Sequence, residues 1–436
     1  MLQTIINAFK VKEIRRKVYM MLLLLLVFRI GCFIPVPGLN RETFGTTIAN
    51  NDFLNLMNSI TGGALSQGTV FALGIGPYIN ASIIMQLLSV GIPALENLSK
   101  QGEEGRKKIA QYTRYVTILL AIIQSVGIVV GFGSSSIQSA LFFGQDWLAA
   151  VFMVVVYTAG AFIVMWLGER ITDYGVGNGQ SMIIFIGILS TAGQAILGKF
   201  TTVFGGGSAG TAAIWELVAF LLVSVVIFFA IVYVDLSERK VPVQYAKQIK
   251  GRKMYGGQSS AIPMRISGGG VMPLIFAFSI LSFPQMIASL VAPEGGFARW
   301  WANWMSATAQ GWGAVVYTLV LCVLIFAFSF FYAQMQFNPE DISKNIQQNG
   351  GFIQGIRPGR ATEAYLKKIS NRITLFGAIY LSLVAFVPSV AFAWASLDLV
   401  NVFSTTGILI IVSCAMEFEK QLQAQMMMKN YKGFLK

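Results

Sequence analysis

The chain has 436 residues, of which 55% are apolar and 12% charged, with a mean hydropathy of +0.65 and a formal net charge of +13. Soluble domains carry about 25% charged residues, so this composition belongs to a polytopic membrane protein. There is no histidine, which removes His-based acid–base catalysis, the common His zinc sites and the HExxH motif together.

A bilayer needs about 20 apolar residues per helix. Ten runs meet that requirement: 20–36, 70–93, 115–132, 147–167, 180–197, 212–234, 271–292, 312–335, 374–393 and 399–416. The last is weak, being short and interrupted by Ser404, Thr405, Thr406 and Gly407. Cys32, Cys322 and Cys414 fall in three separate runs, with no metal or disulfide spacing, and read as buried apolar thiols. No metal and no cofactor is expected.

Lys10, Lys12, Arg15, Arg16 and Lys17 precede the first run, which therefore looks like a signal peptide. No small-residue cleavage site follows, and Pro35-Val36-Pro37 ends the run, so it reads as a retained first span. With the N-terminus in the cytoplasm, 28 of the 32 Lys and Arg lie in cytoplasmic segments. Only Arg41, Lys199 and Arg299 lie outside, and Arg29 sits within the first span. That split obeys the positive-inside rule and puts both termini in the cytoplasm. The basic charge is then mostly topology, and nucleic-acid binding carries little weight.

The stretch 59–88, SITGGALSQGTVFALGIGPYINASIIMQLL, organises the first half. It passes from a Gly-rich segment into an apolar run broken by Gly74, Gly76 and Pro77. Proline lacks an N–H and clashes with the preceding turn, so a helix here must kink or split. Ile75 and Ile79 share one helical face, and Asn80, Ser82 and Gln86 are too polar to face lipid all round. Two readings stand: a pore-lining helix with a mobile segment before it, or a kinked helix packed in a bundle. Just upstream, Phe53, Leu56, Met57 and Ile60 follow the i, i+3, i+4, i+7 pattern of a short helix. It is either a re-entrant plug, which Gly62, Gly63 and Gly68 would let move, or a plain outer-loop helix.

Gly175-Val-Gly-Asn-Gly179 is a weak glycine-loop match without a preceding strand, and reads as a connector. The outer loop 198–211 separates five spans (1–197) from five more (212–436). This division suits an inverted repeat with a path between the halves. Two cytoplasmic loops, 235–270 and 337–373, are far longer than ordinary connections. In the second, Asn338 can cap a helix, Pro339 suits its first position, Glu340 and Asp341 complement its dipole, and Asn349-Gly350-Gly351 stop it. A tight turn, Gly355-Ile-Arg-Pro-Gly359, then presents Arg357, and the pair of loops suggests a docking surface.

Taken in order, these pieces resemble the SecY family, the central channel subunit of the bacterial protein translocon. The matching stretches are FRIGCFIPVPG (28–38), GGALSQGTVFALGIGPYINASIIMQLL (62–88), KQGEEGRKKIAQYTRY (100–115), MWLGERITDYGVGNGQS (165–181), GGQSSAIPMRIS (256–267), GGGVMPLIFA (268–277), FNPEDISKNIQQNGGFIQGIRPG (337–359) and NYKGF (430–434). The resemblance implies an all-α, ten-helix channel in a bacterial cytoplasmic membrane. Two pseudo-symmetric five-helix halves would enclose a central hourglass pore that opens sideways between spans two/three and seven/eight. By motif position the pore ring maps onto Ile75, Ile79, Gln180, Ile184, Ile275 and Ile410, Gln180 departing from the usual aliphatic residue. The plug maps onto about 55–67, with Asn55, Leu56, Met57, Ile60, Gly62, Gly63 and Leu65. Arg357 falls on the loop arginine implicated in engaging the SecA ATPase, and the basic loop with Arg252 and Lys253 matches the surface that family members offer to both SecA and the ribosome. SecE and SecG small subunits, and secretory and membrane-protein precursors with signal sequences, are the other implied partners.

The rival from another class is a secondary transporter of a small solute. Ion-coupled transporters generally carry acidic residues or His near the midplane, and the central parts of all ten runs lack acidic residues. No intramembrane catalytic constellation is visible either, so an enzyme is not expected.

Overall fold

The computed structural model describes residues 9–49, 54, 57–58, 60–132, 144–204, 211–245, 248–250, 253–255, 259–266, 272–291, 295–305, 312–395 and 405–433. Each of the ten apolar runs falls, at least in part, on a helix. Among the described residues, five helices are long and apolar enough to cross a membrane, or six if one bent pair counts as a span.

Helix α1 (Lys12–Gly31) buries Ile14, Val18, Met21, Leu25 and Phe28, steps of three and four along one stripe. Its other face, including Leu22, Leu23, Leu26 and Ile30, is exposed yet equally apolar. A helix apolar all round suits protein on one side and lipid on the other. The helix stops earlier than the apolar run does. Residues 32–39 leave it and pair with the 68–70 strip, Val36 N–H donating to Gly68 O and Val70 N–H to Ile34 O, both at 2.9 Å. A short helix α2 (Arg41–Ala49) follows.

The run at 70–93 splits rather than kinks. Residues 61–75 form successive turns, and α3 (Gly76–Gly91) begins with Pro77 in its first turn, where the missing N–H costs nothing. It meets α4 (Pro93–Lys100) at a bend of 104°. Helix α5 (Glu103–Val126) ends in a π-helical turn, Gly127–Phe132. Helix α6 (Asp146–Tyr174) is the centre of the first half, burying Ala149, Met153, Tyr157, Gly160, Ala161, Val164, Leu167, Gly168 and Ile171 in a continuous line. Helix α7 (Gly179–Phe204) runs on through half of the expected outer loop, and α8 (Thr211–Leu236) starts where that loop was expected to end.

The two long loops, 235–270 and 337–373, contain strands that the sequence reading did not assign. Strands β1 (Glu238–Tyr245) and β4 (Ser259–Arg265) pair antiparallel from Glu238↔Arg265 to Gln244↔Ser259. Between them β2 (Gln248–Lys250) and β3 (Lys253–Tyr255) form a small hairpin. Past α9 (Met272–Val291), α10 (Gly296–Trp304), α11 (Trp312–Gln336) and α12 (Pro339–Gln348), strand β5 (Gly351–Phe352) adds to β1 through Tyr245↔Gly351. The sheet order is β4-β1-β5, so the two long loops share one sheet. Val241, Val243, Met264, Ile346, Ile353, Leu366 and Ile369 form its core, the last two from α13 (Arg360–Ala395). Helix α12 starts as the sequence requires, with Asn338 Oδ1 accepting from Glu340 N–H at 3.1 Å. Helix α14 (Thr405–Gly433) closes the chain.

Gly160 of α6 lies against the Val70 carbonyl, with no room for a Cβ, whereas Gly193 of α7 has open space beside it. Gly160→Ala should therefore cost about 1–3 kcal/mol through overpacking, read as a lower thermal unfolding midpoint of the purified protein. Gly193→Ala should leave that midpoint unchanged or raise it slightly.

Candidate functional site

Helix α3 turns Ile79, Ser82 and Gln86 to one face, three and four residues apart. That face meets Gln180, Ser181 and Ile184 of α7 and Met272, Ile275 and Phe276 of α9, and together with α14 they enclose a cavity of about 580 Å³. Four of the six expected ring residues, Ile79, Gln180, Ile184 and Ile275, thus line one space. Ile75 and Ile410 do not reach its wall. They are buried in the same apolar cluster, at 3% and 8% exposure, behind it. Gly168 of α6 lies beside both groups: a Cβ there would be in ordinary contact with Gln180 Cγ at 3.4 Å and Ile75 Cδ1 at 3.6 Å.

The cavity wall changes character along its length. Toward the ends of α8 and β4 and the middle of α14 it is lined by Asp235, Arg265, Glu417, Lys420 and Gln421. Lys420 Nζ donates to the Asp235 carbonyl at 2.7 Å, and Gln421 Nε2 donates to Glu417 Oε1 at 3.1 Å. Burial holds the Glu417 carboxyl above its usual range, against the opposing effect of Arg265. Burial also lowers the Lys420 ammonium, with Arg265 adding to the shift and Asp235 opposing it. The two signs of charge are interleaved, so this end offers water-like solvation without a net field for either sign.

At the apolar end the chain before α3 is packed into the protein. Leu54, Met57, Asn58 and Ile60 are helical, while Asn55 and Leu56 lie outside the described residues. Asn58 holds the turn that follows. Its carbonyl accepts from Gly63 N–H (2.9 Å) and its Oδ1 accepts from Ser66 N–H (2.8 Å). Gly62 and Gly63 have φ of 73° and 86°, the left-handed region that glycine enters without strain. Leu65 and Leu54 are buried at 1% in a cluster with Phe44, Ile48 and Tyr157, and Ile60 packs instead against the cluster holding Ile75 and Ile184. The segment is wedged between two cores. Its closest approach is backbone to backbone: a Cβ at Gly187 of α7 would strike the Ile60 carbonyl, and one at Gly62 would lie 3.1 Å from Gly187 Cα.

Two polar contacts beside this site were not read from the sequence. Tyr332 Oη of α11 donates to Gln86 Oε1 of α3 at 2.6 Å, tying the two sequence halves together beside the cavity. The polarity of Gln86 was the available signal, but its partner lies 246 residues away. Arg29 donates to Ser190 Oγ of α7 at 2.5 Å, and its guanidinium lies 5.5 Å from the centroid of the Phe33 ring. Arg29 thereby flanks Gly62, whose absent Cβ would lie 2.5 Å from Arg29 Nη1.

On the sheet-bearing side, Arg357 is exposed on a fixed turn. Gly355 and Gly359 have φ of 82° and 96°, Thr362 Oγ1 donates to the Arg357 carbonyl (2.9 Å), and Ser343 Oγ to the Gly359 carbonyl (2.8 Å). A groove of about 680 Å³ runs beside it, lined by Gln347, Phe352, Ile356 and Pro358 among others. Lys253 opens strand β3, and Arg252 lies outside the described residues.

The family model for SecY matches residues 69–419. Relatives named "Protein translocase subunit SecY" from Streptomyces coelicolor and Halalkalibacterium halodurans are each 41% identical, over 449 and 440 residues, covering 100% of both chains in each case. Among solved structures, "The structure of a protein conducting channel" superposes with a TM-score of 0.70 at 23% identity, covering 95% of this chain and 93% of that one. A Sec61 channel from the canine ribosome-channel complex of the endoplasmic reticulum gives a TM-score of 0.64 at 20% identity, with 95% and 93% coverage. At these identities the structural likeness speaks for the fold alone.

Because Gly187 has no space for a side chain, Gly187→Val should lift the 60–62 backbone. A cysteine introduced as Ala64→Cys, at a position only 1% exposed, should then react with maleimide severalfold faster than in the Gly187 parent. Equal reactivity in folded protein would mean that the segment does not depend on this contact.

Proposed function

This chain belongs to the SecY family, and from that premise we propose that it is the pore-forming subunit of a protein-conducting channel in a bacterial cytoplasmic membrane, both termini facing the cytoplasm. The observation that carries the reading is the cavity between α3, α7, α9 and α14, lined by Ile79, Ile184 and Ile275 as well as by Asp235, Arg265, Glu417 and Lys420. A conduit for unfolded chains of any sequence has no use for a specific polar site. An apolar collar seals by dewetting, and it has no fixed partners to lose when it dilates. Ile79, Ile184 and Ile275 form that collar, with Ile75 and Ile410 as its packed backing and Gln180 as its polar exception.

The two halves, 1–197 and 212–436, act as the jaws around this path, and both contribute to the cavity wall. The segment 55–67 is the plug, closing the outer side in series with the collar. It packs through glycine backbone, with Leu54 and Leu65 as the apolar anchors and the Arg29 guanidinium beside Gly62. The exit to lipid lies between α3 and α5 on one side and α9 and α11 on the other. There the π-helical end of α5 faces α9, and Tyr332–Gln86 bridges α3 and α11. An apolar signal segment moving out gains about 0.3–0.6 kcal/mol per Leu or Ile at the bilayer centre. SecE and SecG small subunits brace the jaws. The SecA ATPase and the ribosome dock on the surface formed by the two long loops, to which Arg252, Lys253 and Arg357 belong, and the motor supplies the work. The names of the relatives lend nothing to the secondary-transporter reading.

Two experiments test this. Ile275→Asn, alone and with Ile79→Asn, should wet the collar and raise resting ion conductance in reconstituted bilayers severalfold. The same variants should export precursors with weakened signal sequences. If both stay as ion-tight as the parent while folded and inserted, the isoleucines are ordinary packing. Arg357→Glu, on an exposed turn held by other residues, should leave expression and insertion near normal while ATPase-driven export collapses. Export at the parental rate would remove Arg357 from the docking surface.

A further inference from the structure

Four of the eight tryptophans in the chain lie within residues 300–312, at the opposite end of α9 and α11 from the basic loops. Three of them are on α10, with Phe297. Positions 297, 300, 301 and 304 recur at i, i+3, i+4 and i+7, one face of a helix. The rings are clustered: Phe297 stacks with Trp300 at 6.4 Å between centroids, Trp301 lies 5.7 Å from Phe297, and Trp300 lies 6.1 Å from Trp301. Phe297, Trp300 and Trp304 are nonetheless 57%, 48% and 41% exposed, and the helix buries no residue. Trp312, at the start of α11, is 79% exposed. In water this is a costly surface, and α10 carries one charge, Arg299, to offset it.

The connections fix the depth of α10. Four residues separate Val291 from Gly296, and a fully extended chain of four spans at most about 14 Å. Helix α10 packs against both α9 and α11, whose own outward faces are apolar, as at Ile287, Val315 and Leu319. Its aromatic face continues that surface at the level where the two spans leave the hydrocarbon. The headgroup layer there is only about 5–7 Å thick on each side, and Trp rings, apolar with one N–H donor, concentrate in that layer.

We infer that α10 is an interfacial anchor: it lies in the plane of the outer leaflet, with Phe297, Trp300 and Trp304 in the headgroup–acyl boundary and Ala302 and Asn303 toward water. It ties the outer ends of α9 and α11 to the bilayer surface, so those ends move with the lipid when the two helices shift. The inference rests on the orientation given under Proposed function.

The test uses single-cysteine variants of the channel, purified with its partner subunits and reconstituted in phospholipid bilayers, with Cys32, Cys322 and Cys414 replaced by alanine. Spin labels at Phe297→Cys, Trp300→Cys and Trp304→Cys should show an oxygen-to-nickel-chelate accessibility ratio severalfold above that at Ala302→Cys and Asn303→Cys. Nickel chelate reaching all five positions equally would place α10 in water and overturn the anchor. Neither reagent reaching the aromatic face would mean that protein covers it, and would overturn it too. An impermeant maleimide should label Asn303→Cys from outside intact cells. Labelling only from the cytoplasmic side would overturn the orientation, and the outer-leaflet assignment with it, whatever the spin-label pattern shows about contact with lipid.

Discussion

A backbone that leaves the helix inside a membrane must find its hydrogen-bond partners within the protein, and residues 57–75 are built around that constraint. Gly68 and Val70 are tied to the 34–36 strip, Thr69 N–H and Oγ1 both donate to the Ala64 carbonyl, and Asn58 serves Gly63 and Ser66 at once. Because these partners are short and local, the segment needs close neighbours, and the neighbours are correspondingly small. Gly187 admits the Ile60 carbonyl, Gly160 admits that of Val70, and Gly31 lies under the Phe71 ring. The helices around the site are spaced by what this irregular stretch requires.

The same stretch accounts for the chemistry of the cavity. By ending at Ile75 it lets α3 begin in mid-protein, so that the first turn of α3, which carries Ile79, lies on the cavity wall with Ile184 and Ile275. Farther along, the wall passes from isoleucine to Ser82 and Gln86, and then to the mixed charges of Asp235, Arg265, Glu417 and Lys420. On the proposed reading, an extended polypeptide entering from the charged end exchanges water for a wall of both signs before it meets the isoleucine collar. Selectivity for sequence would need fixed partners in that constriction, and isoleucine supplies none.

The β4-β1-β5 sheet solves a separate problem. Arg357 sits on a turn braced by Thr362 and Ser343 and by the small core of Val241, Ile346 and Leu366. Helix α13 runs without interruption from that core into the membrane over 36 residues. A load applied at the turn therefore has a stiff path to the helices beside the cavity.

The sequence by itself determined the membrane class, the ten apolar runs, the capped helix α12 and the break at Pro77, because each depends on local composition or on the fixed geometry of proline, glycine and Asx residues. It also pointed to Ile75, Ile79, Gln180, Ile184, Ile275 and Ile410 through family motifs, without saying which of them face open space. Only the tertiary structure decided that Ile79, Gln180, Ile184 and Ile275 line the cavity while Ile75 and Ile410 stand behind it. The reason is that a helix apolar on every face gives no sign of which side meets protein and which meets lipid. The β4-β1-β5 sheet was hidden for a related reason: β1 and β4 each carry a proline, and β5 has two residues and pairs with β1 across more than a hundred residues of chain. Gln86 was visible as a polar residue in an apolar run, but its hydrogen bond to Tyr332, spanning 246 residues, exists only once packing has brought α3 and α11 side by side.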